Sequence, residues 1–138
     1  MSLIHGLHHV ALRAGDFDRS VAFYTEVLGF ATKIAWGEKP GRAVMLDAGD
    51  GNYVEVFERP GDPPATDDPP PVLLHFAIRT HDVDAATERA REAGCRITME
   101  PKDVDIPTTV GPHPTPVRIA FFRGPDNEEI ELFQNELT

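Results

Sequence analysis

The chain has 138 residues, 41% hydrophobic and 26% charged, which suits a soluble globular fold the size of one ordinary domain. Its formal net charge of −10 disfavours nucleic acid and anionic membrane surfaces, both of which select basic faces, and no apolar run reaches the ~18 residues of a membrane span. A signal-peptide pattern is absent from the first residues, so the expected location is the cytoplasm.

The first predicted element is a strand, His9-Val10-Ala11-Leu12-Arg13, alternating in character. After two further residues Asp16 offers a helix start, and Phe17, Val21, Tyr24 and Leu28 form one helical face that Gly29 ends. Strand-like segments follow at 31–36, 42–48 and 52–58, the last preceded by an Asp50-Gly51 turn. Residues 59–71 hold Pro60, Pro63, Pro64, Pro69, Pro70 and Pro71 and read as a semi-rigid linker.

The pattern then repeats at one constant offset. His75-Phe76-Ala77-Ile78-Arg79 is followed, after two residues, by Asp82, a helical face of Val83, Ala86, Ala90 and Ala93, and Gly94. The smaller side chains of this second helix predict closer packing on its sheet. Strands are predicted at 96–100, 117–122 and 128–134, the last after a Pro125-Asp126-Asn127 turn. Val54-Glu55-Val56-Phe57 matches Ile130-Glu131-Leu132-Phe133.

Each half therefore reads strand, helix and three strands. This is an α+β chain of two βαβββ modules, 4–58 and 72–135, within one domain spanning 1–138. Neither module is expected to be stable alone, and the linker leaves open whether they pair within one chain or swap between two. The second module has extra length at 101–116, with five prolines and His113. It reads as a long irregular loop, either capping a pocket or lying rigid on the surface.

His9 and His75 open matching strands, and Glu55 and Glu131 sit in matching final strands. If those strands are neighbours and the modules pair with pseudo-twofold symmetry, all four side chains converge. Singly, each has a plainer alternative: a satisfied strand histidine or a solvated glutamate. Together, two imidazoles and two carboxylates suit Zn, Ni, Co, Mn or Fe. With room left for water, such a site is catalytic rather than closed and structural. Trp36, Met45, Tyr53 and Phe121 are candidates for pocket walls, with core packing preferred. His5, His81 and His113 read as surface residues. Cys95 follows the second helix and reads as a buried small residue. As the single cysteine it excludes an internal disulfide and a CxxC zinc site.

The string Leu7-His8-His9-Val10-Ala11-Leu12, Asp16, Ser20-Val21-Ala22-Phe23-Tyr24 and Val27-Leu28-Gly29-Phe30 resembles the opening module of the vicinal oxygen chelate (glyoxalase/bleomycin resistance protein/extradiol dioxygenase) superfamily. Gly124-Pro125-Asp126-Asn127 through Phe133 resembles its ending. The resemblance implies paired βαβββ modules in a curved mixed sheet around one divalent ion held by His9, Glu55, His75 and Glu131. His8 competes with His9 but is out of phase with the repeat.

A His/Glu/His/Glu set resembles that of glyoxalase I. Related epimerases usually carry Gln at the second position, and extradiol dioxygenases use two His and one Glu. Glu55 thus points to a metal-dependent lyase or isomerase, moving a proton through a metal-stabilised enediolate of a small α-hydroxycarbonyl or thiol adduct. The resemblance makes Glu131 the first choice of base and Glu55 the second, and matches Arg13 to a substrate-binding arginine. A surface salt bridge is the other reading of Arg13. It also implies a homodimer acting on a small-molecule substrate, without nucleic acid or membrane partners. The stretch after Glu55, Val56-Phe57-Glu58-Arg59-Pro60, departs from the glutathione-holding pattern, so the thiol is open. The alternatives are an epimerase or extradiol dioxygenase relative, or a metal-free drug-sequestering protein.

Overall fold

The structure is a computed structural model that describes residues 2–27, 29–61, 73–124 and 129–138. The first module begins with strand β1 (Ile4–Ala14) and helix α1 (Phe17–Ala22), which runs on into a π-helical turn at Phe23–Val27. Asp16 caps α1 by accepting from Arg19 N–H at 3.1 Å. Strands β2 (Ala31–Trp36), β3 (Ala43–Gly49) and β4 (Asn52–Glu58) follow. Asp50 and Gly51 both have positive φ, the backbone that a two-residue hairpin between β3 and β4 demands.

The second module comprises β5 (Leu73–Thr80), α2 (Val83–Glu92), β6 (Arg96–Ile106), β7 (Thr108–Val110), β8 (Thr115–Arg123) and β9 (Glu129–Gln134). Asp82 caps α2 through Ala85 N–H. Gly94, at φ 88°, ends it while Cys95 N–H returns to Ala90 O. Leu28, most of the expected linker and the Pro125-Asp126-Asn127 turn lie outside the described residues.

One nine-stranded mixed sheet runs β6-β8-β9-β5-β1-β4-β3-β2-β7. Its centre is the antiparallel seam β1/β5, flanked by parallel pairs β1/β4 and β5/β9. The strands of the two halves thus pair within one chain. The outer face carries the helices. Phe17, Val21 and Tyr24 pack on Ala14, Val44, Leu46 and Val56, while Val83 and Ala86 pack on Ala120 and Leu132. The inner face buries Ile34, Met45, Tyr53, Ala77, Val117 and Phe133.

One expectation changes. Residues 101–116 are largely strand, not irregular loop: β6 extends to Ile106, β7 covers 108–110 and β8 starts at Thr115. Pro101 is accommodated because β6 is an edge strand whose register shifts between Met99 and Lys102. Beside α2 lies an apolar cavity of about 210 Å³, lined by Ala90, Ala93, Ile78 and Phe122, with the half-buried Cys95 on its wall.

β6 and β7 lie at opposite edges of the sheet, yet only Pro107 separates them in sequence. The sheet must therefore curl until its edges meet, and that curl makes its inner face concave. The β7 edge sits tightly on β2. A Cβ on Gly111, at φ 96°, would meet Ile34 Cγ2 at 2.7 Å and Lys33 O at 3.2 Å. Gly111→Ala should therefore lower the unfolding free energy by about 1–3 kcal/mol in urea titrations. An unchanged midpoint and slope would contradict this account of the closure.

Candidate metal centre

The register of the four central strands arranges the site in two rows. Glu131 on β9 pairs with Ala77 on β5, which pairs with His9 on β1. His75 on β5 pairs with Ala11 on β1, which pairs with Glu55 on β4. A histidine and a glutamate therefore flank an alanine in each row. Ala11 and Ala77 are wholly buried and form a flat floor, above which the four longer side chains lean together.

The convergence is close. His9 Nε2 lies 3.3 Å from Glu55 Oε1, 2.9 Å from Glu131 Oε2 and 3.3 Å from His75 Nε2. His75 Nε2 lies 2.9 Å from Glu131 Oε2 and 3.6 Å from Glu55 Oε1. One donor atom from each residue falls within 4.8 Å of all the others. Ligand bonds of about 2.1 Å separate neighbouring donors by roughly 3.0–3.4 Å, close to most of the spacings in this set, so its donor types and separations suit a first-row divalent ion.

His8 is also inside, against strict alternation. β1 gains a residue between the pairs Leu7–Ile78 and His9–Ala77. This bulge turns both histidines into the concave face, where each is 1% exposed. The His8 ring stacks on Tyr53 and lies 4.2 Å from Phe133 by ring centroids. Its Nδ1 lies 2.8 Å from His9 Nδ1, so it supports His9 from behind and stands apart from the converging donors.

Two buried carboxylates set the electrostatics. Burial opposes a charge on His9, but Glu55 and Glu131 outweigh it and raise the imidazole to about 9. Burial likewise opposes ionisation of Glu131, but hydrogen bonds from His75 and His9 hold its carboxyl below the usual range. His8 moves the other way, to about 3, through burial and the positive neighbours His9 and Arg79.

A family model of the "Glyoxalase/Bleomycin resistance protein/Dioxygenase superfamily" matches residues 6–132, a span that contains all four converging residues. The chain belongs to this superfamily. It is 33% identical over 135 residues to a probable lactoylglutathione lyase of Vibrio cholerae, covering 96% of this chain and 92% of that one. It is 31% identical to the lactoylglutathione lyase of Haemophilus influenzae, with 94% and 93% covered. Its fold is similar to that of methylmalonyl-CoA epimerase from Mycobacterium tuberculosis, with a TM-score of 0.72, 23% identity, and 99% and 91% covered. Among the described residues, no helix is long and apolar enough to cross a membrane.

His75 lines a cleft of about 320 Å³ with Arg13, Phe57 and Leu74 on its walls. Arg13 is exposed there and has no salt-bridge partner among the described residues. Its repeat counterpart, Arg79, instead donates to Thr138 O at 2.8 Å and to Gly51 O. Phe121 stands edge-on to His75, with ring centroids 5.4 Å apart. Met45 and Tyr53 are core, and Trp36 packs on Phe57. His5 and His81 lie ring to ring at the surface, tilted by 49° with centroids 4.3 Å apart, and His113 bonds Thr108 O.

In the metal-free chain the His9 proton is favoured by folding. Its contribution is complete below the unfolded value of about 6.5 and is lost as pH rises through about 9. Glu131, held low, stabilises above about 4.5 and loses that contribution as pH falls further. Melting in a chelator should therefore decline from pH 6.5 to 9, and a flat profile would contradict the buried charge pair. Ala77→Leu should raise the floor and cost about 1–3 kcal/mol of stability in the same assay; wild-type melting would contradict the floor.

Proposed function

We propose that this chain is a metal-dependent lyase or isomerase resembling glyoxalase I, moving a proton on a small α-hydroxycarbonyl or thiol adduct. The observation that carries this reading is the convergence of His9, Glu55, His75 and Glu131 beside the cleft that holds Arg13. These four residues would hold one divalent ion, of the Ni, Zn, Co, Mn or Fe class, which supplies a Lewis acid for developing negative charge on substrate oxygen.

The protein supplies the rest. Glu131, held ionised, takes the proton from carbon and returns it, with Glu55 the second candidate for that role. Glu55 makes the longer contacts with both histidines. Arg13, without a carboxylate partner among the described residues, receives an anionic part of the substrate at the cleft mouth. Phe57 and Leu74 give that cleft apolar walls beside His75. Epimerisation of an acyl thioester is the second reading. It uses the same proton transfer, and the fold likeness to methylmalonyl-CoA epimerase favours it.

Elemental analysis should find one divalent ion per chain, and chelation should abolish turnover. An assay of methylglyoxal with a panel of thiols, run beside methylmalonyl-CoA, separates the two chemistries. Turnover with a thiol supports the lyase reading. Turnover of the acyl thioester alone overturns it in favour of the epimerase, and a chain without a stoichiometric ion overturns both. Glu131→Gln should lower kcat about 10²–10⁴-fold with the fold intact. A larger loss in Glu55→Gln than in Glu131→Gln would reassign the base.

A further inference from the structure

The converging donor set leaves over one inward-facing, fully buried histidine, His8, and both of its ring nitrogens are engaged. The proton on each can be deduced by working inward from the backbone. Thr138 N–H can only donate, and it faces Asn135 Oδ1 at 3.2 Å, which fixes that atom as an acceptor. The same oxygen takes the Thr138 hydroxyl proton at 2.9 Å. With its proton directed there, Thr138 Oγ1 accepts from His8 Nε2 at 2.5 Å.

A neutral imidazole that donates from one nitrogen accepts at the other. His8 Nδ1 is therefore an acceptor, and its partner at 2.8 Å, His9 Nδ1, donates. The Nε2 of His9 is then the atom turned toward Glu55, Glu131 and His75. The anchor of this chain is itself held, because Arg79 donates to Thr138 O. Asn135 Nδ2, turned away from Thr138, has no partner among the described residues, so the side chain is oriented for its oxygen.

We propose that His8 is a positioning residue: with Thr138 and Asn135 it fixes the Nδ1–H tautomer and ring orientation of His9, presenting Nε2 to the divalent ion. The role rests on the metal reading above. It acts on one ligand only, since Leu74 occupies the repeat position of His8 in the second module and has no ring nitrogen to offer His75. Outer partners of this kind typically change metal affinity 10–100-fold.

The test is Co²⁺ affinity, measured by competition with a chromophoric chelator, for the wild type, His8→Leu, His8→Asn and Thr138→Val, each with its metal-free melting curve. His8→Leu should bind Co²⁺ about 10–100-fold more weakly. His8→Asn, whose Oδ1 can stand where Nδ1 accepts, should recover most of that loss, and Thr138→Val should fall between. In the Zn²⁺-loaded wild type, an ¹⁵N–¹⁵N coupling should link the two Nδ1 atoms across their hydrogen bond. Wild-type affinity in His8→Leu, or no recovery in His8→Asn, overturns the positioning role. If His8→Leu does not fold, His8→Asn and Thr138→Val decide: wild-type affinity in Thr138→Val or absence of the coupling overturns it. A wild type that takes up no Co²⁺ overturns the metal reading, and this role with it.

Discussion

Two carboxylates buried within reach of each other need positive charge between them, and that requirement organises the inner face of this sheet. Glu55 and Glu131 are each about 5–6% exposed, and His9 and His75 are the groups that approach both. An isolated buried carboxylate carries a desolvation cost of several kcal/mol, which only a close cation or strong donors offset. In the metal-free chain a protonated His9 plays that part. A divalent ion would meet the same need with two charges, freeing the proton.

Duplication delivers this arrangement with few residues. The repeated His-x-Ala-x-Arg strand places a donor, a floor and an arginine in alternate positions on one face, and antiparallel pairing of β1 with β5 sets each histidine opposite the other module's alanine. The halves then diverge. Arg13 opens onto a cleft while Arg79 is tied to the backbone of Thr138 and Gly51. His8 braces His9, while the matching position before His75 is Leu74. A symmetric scaffold thereby acquires one supported end and one end open to a cleft.

Much of this was legible in the sequence because the repeat carried it. The succession of strands and helix in each half, both aspartate caps and the choice of four candidate residues follow from matching strings whose strands alternate with a period of two; which strands lie side by side does not. What escaped was whatever breaks that period. Strict alternation puts His8 in the opposite phase from His9, but a bulge adds one residue and turns both inward. Five prolines made 101–116 look irregular, although an edge strand with a shifted register tolerates Pro101. Pairing of β7 with β2 is a long-range consequence of curl, and no local pattern encodes it.

Anomalous diffraction from crystals grown with Zn²⁺ tests the central claim most directly. The account predicts one strong peak per chain, within about 2.3 Å of His9 Nε2, His75 Nε2 and one oxygen each of Glu55 and Glu131. A peak bound elsewhere, or none at the four side chains under saturating metal, would contradict it.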